Sequence, residues 1–503
     1  MNGHTSHDPG RSVNILRTIL ASIAAAMTCG PLSAGVPTDP LIDNEMMMRT
    51  ETPAQLSAYV AAAAATFDDV AIIDGIDGRP IHKLRYRLRA GQDYHVAASF
   101  CEAQVSLGVA TWAELNYAGQ SGEGRTDSFW ISQFGLDPGV FADQYAGGVI
   151  GLPASRGQSL GQGTLIAVLD TGVDASHLAF EGRVLPGGAS FIPGAGFADG
   201  ANGADDDGDG LVDEQVGHGT FVAGMVHLVA PRAWILPVTV LNSDGVGDLW
   251  TIAKGMAFAL DRGADVINLS LGSTYSSALI EDLANEASVR GSVVVAAMGN
   301  MAREDPEEFP AALGSVLAVC ATDPDDLLAT FSNFNPKADM TAPGATSRTA
   351  GGAVIVSRAI VGPVPGNRWA AWQGTSFATA LASGAAALVR SQHPEWPDAS
   401  VTADLMDDQV IARLTATALP IDAINPGYEQ LIGHGRLAAG AATAGAPAAP
   451  REGDLNLDGA VNGFDLGLLL GSWGQQCTGC RADVNRDGVV SGFDLGLVLG
   501  NWG

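Results

Sequence analysis

Three short motifs in this chain carry residue types that together can transfer an acyl group. Asp170-Thr171-Gly172, His218-Gly219-Thr220 and Gly374-Thr375-Ser376 occur in that order along its 503 residues. Acyl transfer needs an oxygen nucleophile, an imidazole to take its proton and a carboxylate to orient the imidazole. Ser376 leads into an apolar run in which Phe377, Ala380, Leu381 and Gly384 repeat at helical spacing. A serine there opens a helix, where unpaired N–H groups and the positive dipole end favour a developing oxyanion. Each motif alone also has a plainer reading: a strand-ending turn, a helix-start histidine, an N-cap serine. Their joint occurrence, each at the edge of a regular element, is what points to chemistry. His434 sits in Gly433-His434-Gly435 without a following helix pattern, and His177 and His227 read as structural.

The elements that must hold these residues follow from the apolar runs. Leu165–Leu169, Trp234–Leu241, Val266–Leu271, Val293–Ala297 and Val316–Val319 read as buried strands. Helical patterns at Thr220–Leu228, Leu249–Leu260 and Leu279–Val289 separate most of them. Such alternation predicts an α/β fold, a mostly parallel sheet with helices on both faces. Active groups in these sheets gather beyond the strands' carboxyl ends, where Asp170 and Gly299-Asn300 fall.

Composition excludes other classes. A net charge of −29 leaves nothing to neutralise phosphates, so nucleic acid is not a partner. Hydrophobic residues at 47% describe globular domains, and the length calls for more than one. Residues 1–35 read as a signal peptide: Arg11 and Arg17 precede the apolar run Thr18–Met27, too short to span a membrane. Secretion or a cell-surface or periplasmic location is therefore expected, with no transmembrane segment in the mature chain. Residues 36–120 carry no catalytic signature and read as a small α+β unit, with a helix near Ala54–Thr66 and strands at Val70–Ile73, Leu84–Leu88 and Val109–Tyr117. The flexible Gly119–Gly124 stretch after it offers a natural processing point. Of five cysteines, Cys477 and Cys480 form a C-x-x-C pair open to a local disulfide and ill suited to zinc.

Residues 121–445 make the large domain, 446–453 a linker, and 454–503 a tandem repeat, Asp454 recurring as Asp483, 29 residues on. Each repeat sets oxygen ligands at loop positions one, three, five and twelve around a glycine: Asp454, Asn456, Asp458 and Asp465, then Asp483, Asn485, Asp487 and Asp494. Ala460 and Val489 at position seven would add backbone carbonyls, a donor set suited to calcium. The stripes Leu466, Leu469, Leu470, Trp473 and Leu495, Val498, Leu499, Trp502 predict two helices packed on each other to form an all-α, EF-hand-like module. A second acidic loop, with Asp205, Asp207, Asp209 and Asp213, reads as a calcium-stabilised loop or as merely charged.

Residues from about Gly161 to Ala444 resemble the subtilisin-like (subtilase) serine peptidases. The resemblance implies that Asp170 orients His218, that His218 is general base and then acid, and that Ser376 attacks. It further implies that the Asn300 amide holds the oxyanion and that Ser270-Leu271-Gly272 and Gly245-Val246-Gly247 clamp an extended peptide. Ala297, Met298 and Gly299 would border the main specificity pocket. Phe221 stands where the family usually has histidine, and Ala380 where it usually has proline. Met298 replaces a commonly smaller residue. These departures bear on substrate preference. Residues 36–120 resemble an inhibitory propeptide, chiefly in Trp112-Ala113-Glu114-Leu115-Asn116-Tyr117, and the tail resembles dockerin modules, which implies a cohesin-like partner. The expectation is a secreted serine endopeptidase acting on peptides or proteins. A processing peptidase or transpeptidase for one partner, or a silent binding protein on the same fold, are the alternatives.

Overall fold

The computed structural model describes residues 41–121, 136–396 and 409–503. The expected signal peptide, and Gly122–Gly124 of the expected processing stretch, lie outside the described residues.

The N-terminal segment is a four-stranded antiparallel sheet with two helices. Its strands are β1 (Leu41–Arg49), β2 (Asp68–Gly75), β3 (Ile81–Arg87) and β4 (Trp112–Ser121), paired in the order β4-β1-β3-β2. Helix α1 (Pro53–Thr66) starts at a capping box of Thr52 and Gln55, with proline at its first position. Helix α2 (Tyr94–Ser106), which the sequence analysis did not anticipate, starts on an Asp93 cap. Tyr59, Phe67, Tyr86 and Phe100 fill a core between helices and sheet.

The large domain is built on β5 (Leu165–Asp170), β6 (Ala189–Ser190), β7 (Trp234–Thr239), β9 (Val266–Leu269), β11 (Val293–Ala297), β12 (Val316–Thr322) and β13 (Met340–Pro343). They pair in parallel in the order β13-β12-β11-β9-β5-β7-β6. Every residue of β5, β7, β9 and β11 is buried, which explains why these runs are continuously apolar and do not alternate. Helices α3 (His218–Val229) and α6 (Thr375–Gln392) pack in one core, on one face of the sheet. Helices α4 (Leu249–Asp261) and α5 (Ala278–Arg290) pack in the other. The expected strand Val266–Leu271 is broken at Ser270: β9 stays in the main sheet, while β10 (Leu271–Gly272) leaves it to pair with β4. Strand β8 (Val246–Asp248) pairs with β4 from the other side.

The C-terminal repeats form two nine-residue helices, α7 (Gly463–Gly471) and α8 (Gly492–Gly500). Leu469 and Val498 are fully buried in a small core with Leu455, Val461, Val484 and Val490. The expected stripe is only half used, because nine residues end each helix before the i+7 position. Trp473 and Trp502 therefore lie past the helix ends and are half exposed, as are Leu470 and Leu499. Cys477 and Cys480 are disulfide-bonded. Among the described residues no helix is long and apolar enough to cross a membrane.

Candidate active site

Asp170 ends β5 fully buried, and its Oδ1 accepts from His218 Nδ1 at 2.7 Å and from the Thr171 N–H at 2.8 Å. His218 is the first residue of α3. The glycine after it is enforced by crowding: a Cβ on Gly219 would lie 2.1 Å from the Gly172 carbonyl oxygen. The helix start is held by Asp199, which accepts from the N–H of Gly217 at 2.8 Å and from the N–H and hydroxyl of Thr220 at 3.0 and 2.6 Å. Burial pushes the Asp199 carboxyl up to about 6, against the pull of these bonds. Nothing in its Gly- and Ala-rich surroundings marks Asp199 in the sequence. It is a positioning residue for His218, found only once the chain is folded.

The His218 ring packs edge-on against Trp372 and tilted on Phe377, with centroids 5.6 and 5.7 Å away. Its contact with Phe377 sets it beside the opening turn of α6, where Ser376 is the second residue. Phe221 joins the same cluster 4.4 Å from the Phe377 ring and adds to the aromatic backing of His218. The Ser376 hydroxyl donates to the Ser270 carbonyl at 3.2 Å, and the Ser270 hydroxyl donates to the Ser376 carbonyl at 2.9 Å. Behind them Asn268 donates to the Ser270 hydroxyl and accepts from that of Ser383, both at 2.9 Å. This buried chain ties β9 to α6, and neither Asn268 nor Ser383 belongs to a motif that sequence could flag.

Asn300 follows β11. Its Oδ1 accepts from the Thr375 N–H at 2.9 Å and the Thr375 hydroxyl at 3.0 Å, which fixes the amide with its NH2 turned away from Thr375. The Gly299 N–H donates to the same hydroxyl at 3.2 Å. Ala297 and Met298 are buried beside this turn.

The two expected peptide clamps are the two sides of one slot, and a strand of the same chain runs through it. Ala118, Gly119 and Gln120 pair with Asp248, Gly247 and Val246 on one side; Gln120 and Ser121 pair with Gly272 and Leu271 on the other. The Ser121 N–H donates to the Gly245 carbonyl at 2.9 Å. Glu114, upstream on β4, is buried and accepts from the Ser277 hydroxyl at 2.7 Å and from the N–H groups of Ala278 and Leu279 at 3.0 Å, at the start of α5. Asn116 accepts from the Trp250 N–H at the start of α4 at 3.4 Å.

The acidic loops divide. Carboxylates of Asp205, Asp207 and Asp209 gather in the exposed loop, and Asp207 also meets Glu214 and the buried Asp244, neither singled out by the sequence. Burial pushes Glu214 up to about 7, with Asp244 and Asp209 adding repulsion. Asp213 closes the loop instead, accepting from Asn202 and Gly203 N–H groups. In the repeats Asp454 and Asp483 are buried and accept from Gly459 and Gly488 at 2.9 Å, while Asp465 and Asp494 cap α7 and α8. Burial pushes Asp483 up to about 6, helped by the charges of Asp494 and Asp487. Asn456 and Asn485 donate to Asp458 and Asp487.

Residues 161–435 match the model of the subtilase family. The chain is 36% identical over 301 residues to Subtilisin BL of Lederbergia lenta, spanning 58% of this chain and 95% of that one. It is 34% identical over 266 residues to Thermitase of Thermoactinomyces vulgaris, spanning 51% and 85%. Its fold resembles the crystal structure of fervidolysin from Fervidobacterium pennivorans, a keratinolytic enzyme related to subtilisin. There the TM-score is 0.58 at 19% identity, over 82% of this chain and 63% of that one.

Proposed function

This chain belongs to the subtilase family and is a serine endopeptidase, and from that premise we propose that Asp170, His218 and Ser376 are its catalytic groups. The observation that carries this is the 2.7 Å bond from the carboxylate to His218 Nδ1. With Nδ1 occupied, Nε2 is the nitrogen left to take the Ser376 proton as the hydroxyl attacks a peptide carbonyl. The imidazolium so formed is stabilised by Asp170 and returns its proton to the leaving amine. The Asn300 NH2 and the Ser376 N–H hold the oxyanion of the tetrahedral intermediate, and water then releases the acyl group from Ser376. The peptide lies as an extended strand between Gly245–Gly247 and Ser270–Gly272, with Ala297–Gly299 bordering its side-chain pocket.

Residues 36–120 act as a propeptide that holds this slot until the chain is cut between it and the peptidase domain. Support comes from β4, which takes the path a substrate would follow. The leader at residues 1–35 directs secretion. Residues 454–503 form a dockerin-like pair joined through 446–453 and available to a cohesin-like partner. Their oxygen-only donor sets fit a hard divalent cation, calcium, which would supply charge neutralisation for the buried Asp454 and Asp483. Asp205, Asp207 and Asp209 offer a further set.

Replacing Ser376 by alanine is expected to abolish cleavage of peptide substrates, to abolish labelling by a fluorophosphonate and to leave the precursor uncut. A Ser376→Ala protein that still cleaved at the wild-type rate would sink the assignment. Calcium titration of the full Ser376→Ala chain, followed by Trp473 and Trp502 fluorescence, tests the tail.

A further inference from the structure

The slot beside Ser376 has glycine on both flanks and a carboxylate between them. Glu308, in the loop joining β11 to β12, is 4% exposed. A Cβ on Gly272 would lie 2.6 Å from its Oε1, and a Cβ on Gly299 would lie 3.4 Å from its Cδ and Oε2. Glycine at 272 lets the carboxylate sit against that backbone, while at Gly299 it is Asn333 Nδ2, 2.5 Å from such a Cβ, that leaves no room for a side chain. The same backbones reach the reacting groups. Ser270, two residues before Gly272, exchanges hydrogen bonds with Ser376, and Gly299 donates to Thr375. Glu308 also stands on a fixed frame, since Phe309 and Ser273 exchange backbone bonds at 2.8 and 2.9 Å. Its carbonyl accepts from the Ala312 N–H at 2.9 Å. Arg303 Nη2 stands 3.7 Å from the Glu308 carboxylate, an ion-pair distance longer than a hydrogen bond.

We propose that Glu308 sets the specificity of the peptidase, selecting lysine or arginine on the acyl side of the cut bond. The proposal rests on the reading that Ser270–Gly272 and Ala297–Gly299 flank the side-chain pocket. A lysine or arginine entering between Gly272 and Gly299 brings its cation to a carboxylate already removed from water, with little left to desolvate on the enzyme side. An apolar side chain in the same place would seal that carboxylate away without a new partner, and an acidic one would meet it as a like charge. Discrimination therefore works in both directions, by attraction of the basic residue and by the cost imposed on the others. Arg303, whose side chain is 23% exposed, can swing outward to water when the substrate cation arrives.

The test uses the processed wild-type enzyme and peptides that differ only in the residue before the cut bond: Arg, Lys, Leu, Phe or Glu. The expected kcat/KM for Arg and Lys exceeds that for Leu by about 100-fold, in the range seen when one partner of a desolvated charge pair is removed. Glu308→Gln should bring the ratio to within about tenfold of unity, chiefly by loss on the basic peptides. Glu308→Asp should keep the preference in weakened form. Labelling by a fluorophosphonate in both variants reports that the site is folded and reactive. Wild type cutting after Leu or Phe as fast as after Arg would overturn the proposal. So would a Glu308→Gln enzyme in which every peptide slows by one factor, the signature of a structural role. Failure of the peptidase assignment would look different, with neither labelling nor cleavage of any peptide.

Discussion

Two appendages grip the peptidase domain at opposite edges of its parallel sheet. The N-terminal segment holds the carboxyl edge: β4 lies between β8 and β10, and Glu114 and Asn116 meet the first turns of α5 and α4. The C-terminal repeats hold the amino edge, at the residues that open β5, β7 and β9. Trp234 donates its indole N–H to the Val484 carbonyl at 3.0 Å, and Arg486 donates to the Gly163 carbonyl at 2.6 Å. Glu452, in the linker just before the repeats, takes Arg183 through both oxygens, at 2.6 and 3.0 Å, and Arg232 at 3.1 Å. Both grips use charged groups, and they differ in what they obstruct. On the proposed reading, a strand in the slot beside Ser376 would exclude substrate, whereas a module on the amino edge would not. On that reading the first has to leave for activity and the second can stay.

The largest effect should come from Glu114. Replacing it by alanine strips three hydrogen bonds and leaves the α5 N–H groups buried without their acceptor, a loss of about 4 kcal/mol in the hold on the segment. In a Ser376→Ala precursor, amide exchange at Ala278 and Leu279 should speed up sharply while the tail's amides stay protected. Unchanged exchange would erase the distinction between the edges. Next comes Glu452→Ala, which leaves Arg183 and Arg232 facing a gap. Its carboxylate is 2% exposed, so about 3 kcal/mol of stability should go in denaturant unfolding, with kcat/KM unchanged. A fall in kcat/KM would mean that the amino edge reaches the site.

How far the sequence speaks depends on how local the cause is. Asp170, His218, Ser376 and Asn300 are legible because each stands where a strand or helix meets a loop, in a short motif with a steric reason such as Gly219. The buried strands are legible because their apolar runs are continuous. The groups that hold the site are not. Asp199 reaches Thr220 across 21 residues, Asn268 reaches Ser383 across 115, and Glu308 meets Gly272 from another loop. Each has a partner set by topology, and spacing carries no trace of it. The break at Ser270 was hidden for the same reason. A run that reads as one strand conceals that its last residue, Leu271, pairs with a different sheet.

A smaller effect separates the edges by pH. Burial pushes the Glu114 carboxyl up to about 7, while the bonds from Ser277, Leu279 and Ala278 pull it down. Released from the complex, it would titrate at the ordinary glutamate value of 4.5. The attached state therefore holds a proton more tightly than the detached one. Attachment is strongest below the lower value and weakens as pH rises through the upper one. Between pH 4.5 and 7 the hold should fall by on the order of 100-fold, and Glu114→Gln should flatten the profile. Segment release after a single engineered cut, followed against pH, measures this.

The smallest effect tests whether the two repeats are equivalent. They match almost residue for residue, yet loop position four is Leu457 in the first and Arg486 in the second, both with left-handed backbone at φ 61° and 57°. In the second, Arg486 also reaches Asp265 at 3.4 Å, and Asp265 accepts from the N–H that opens β5 at 2.8 Å. Arg486→Leu makes the loops alike at that position and should cost about 1 kcal/mol of global stability, the worth of a half-exposed charged hydrogen bond. Asp454→Asn and Asp483→Asn, the same change in either loop, should then have effects that converge in the Arg486→Leu background and diverge in the wild type. Equal effects in both backgrounds would mean that the tail rides on the peptidase without being coupled to it, and the amino-edge grip would be no more than contact.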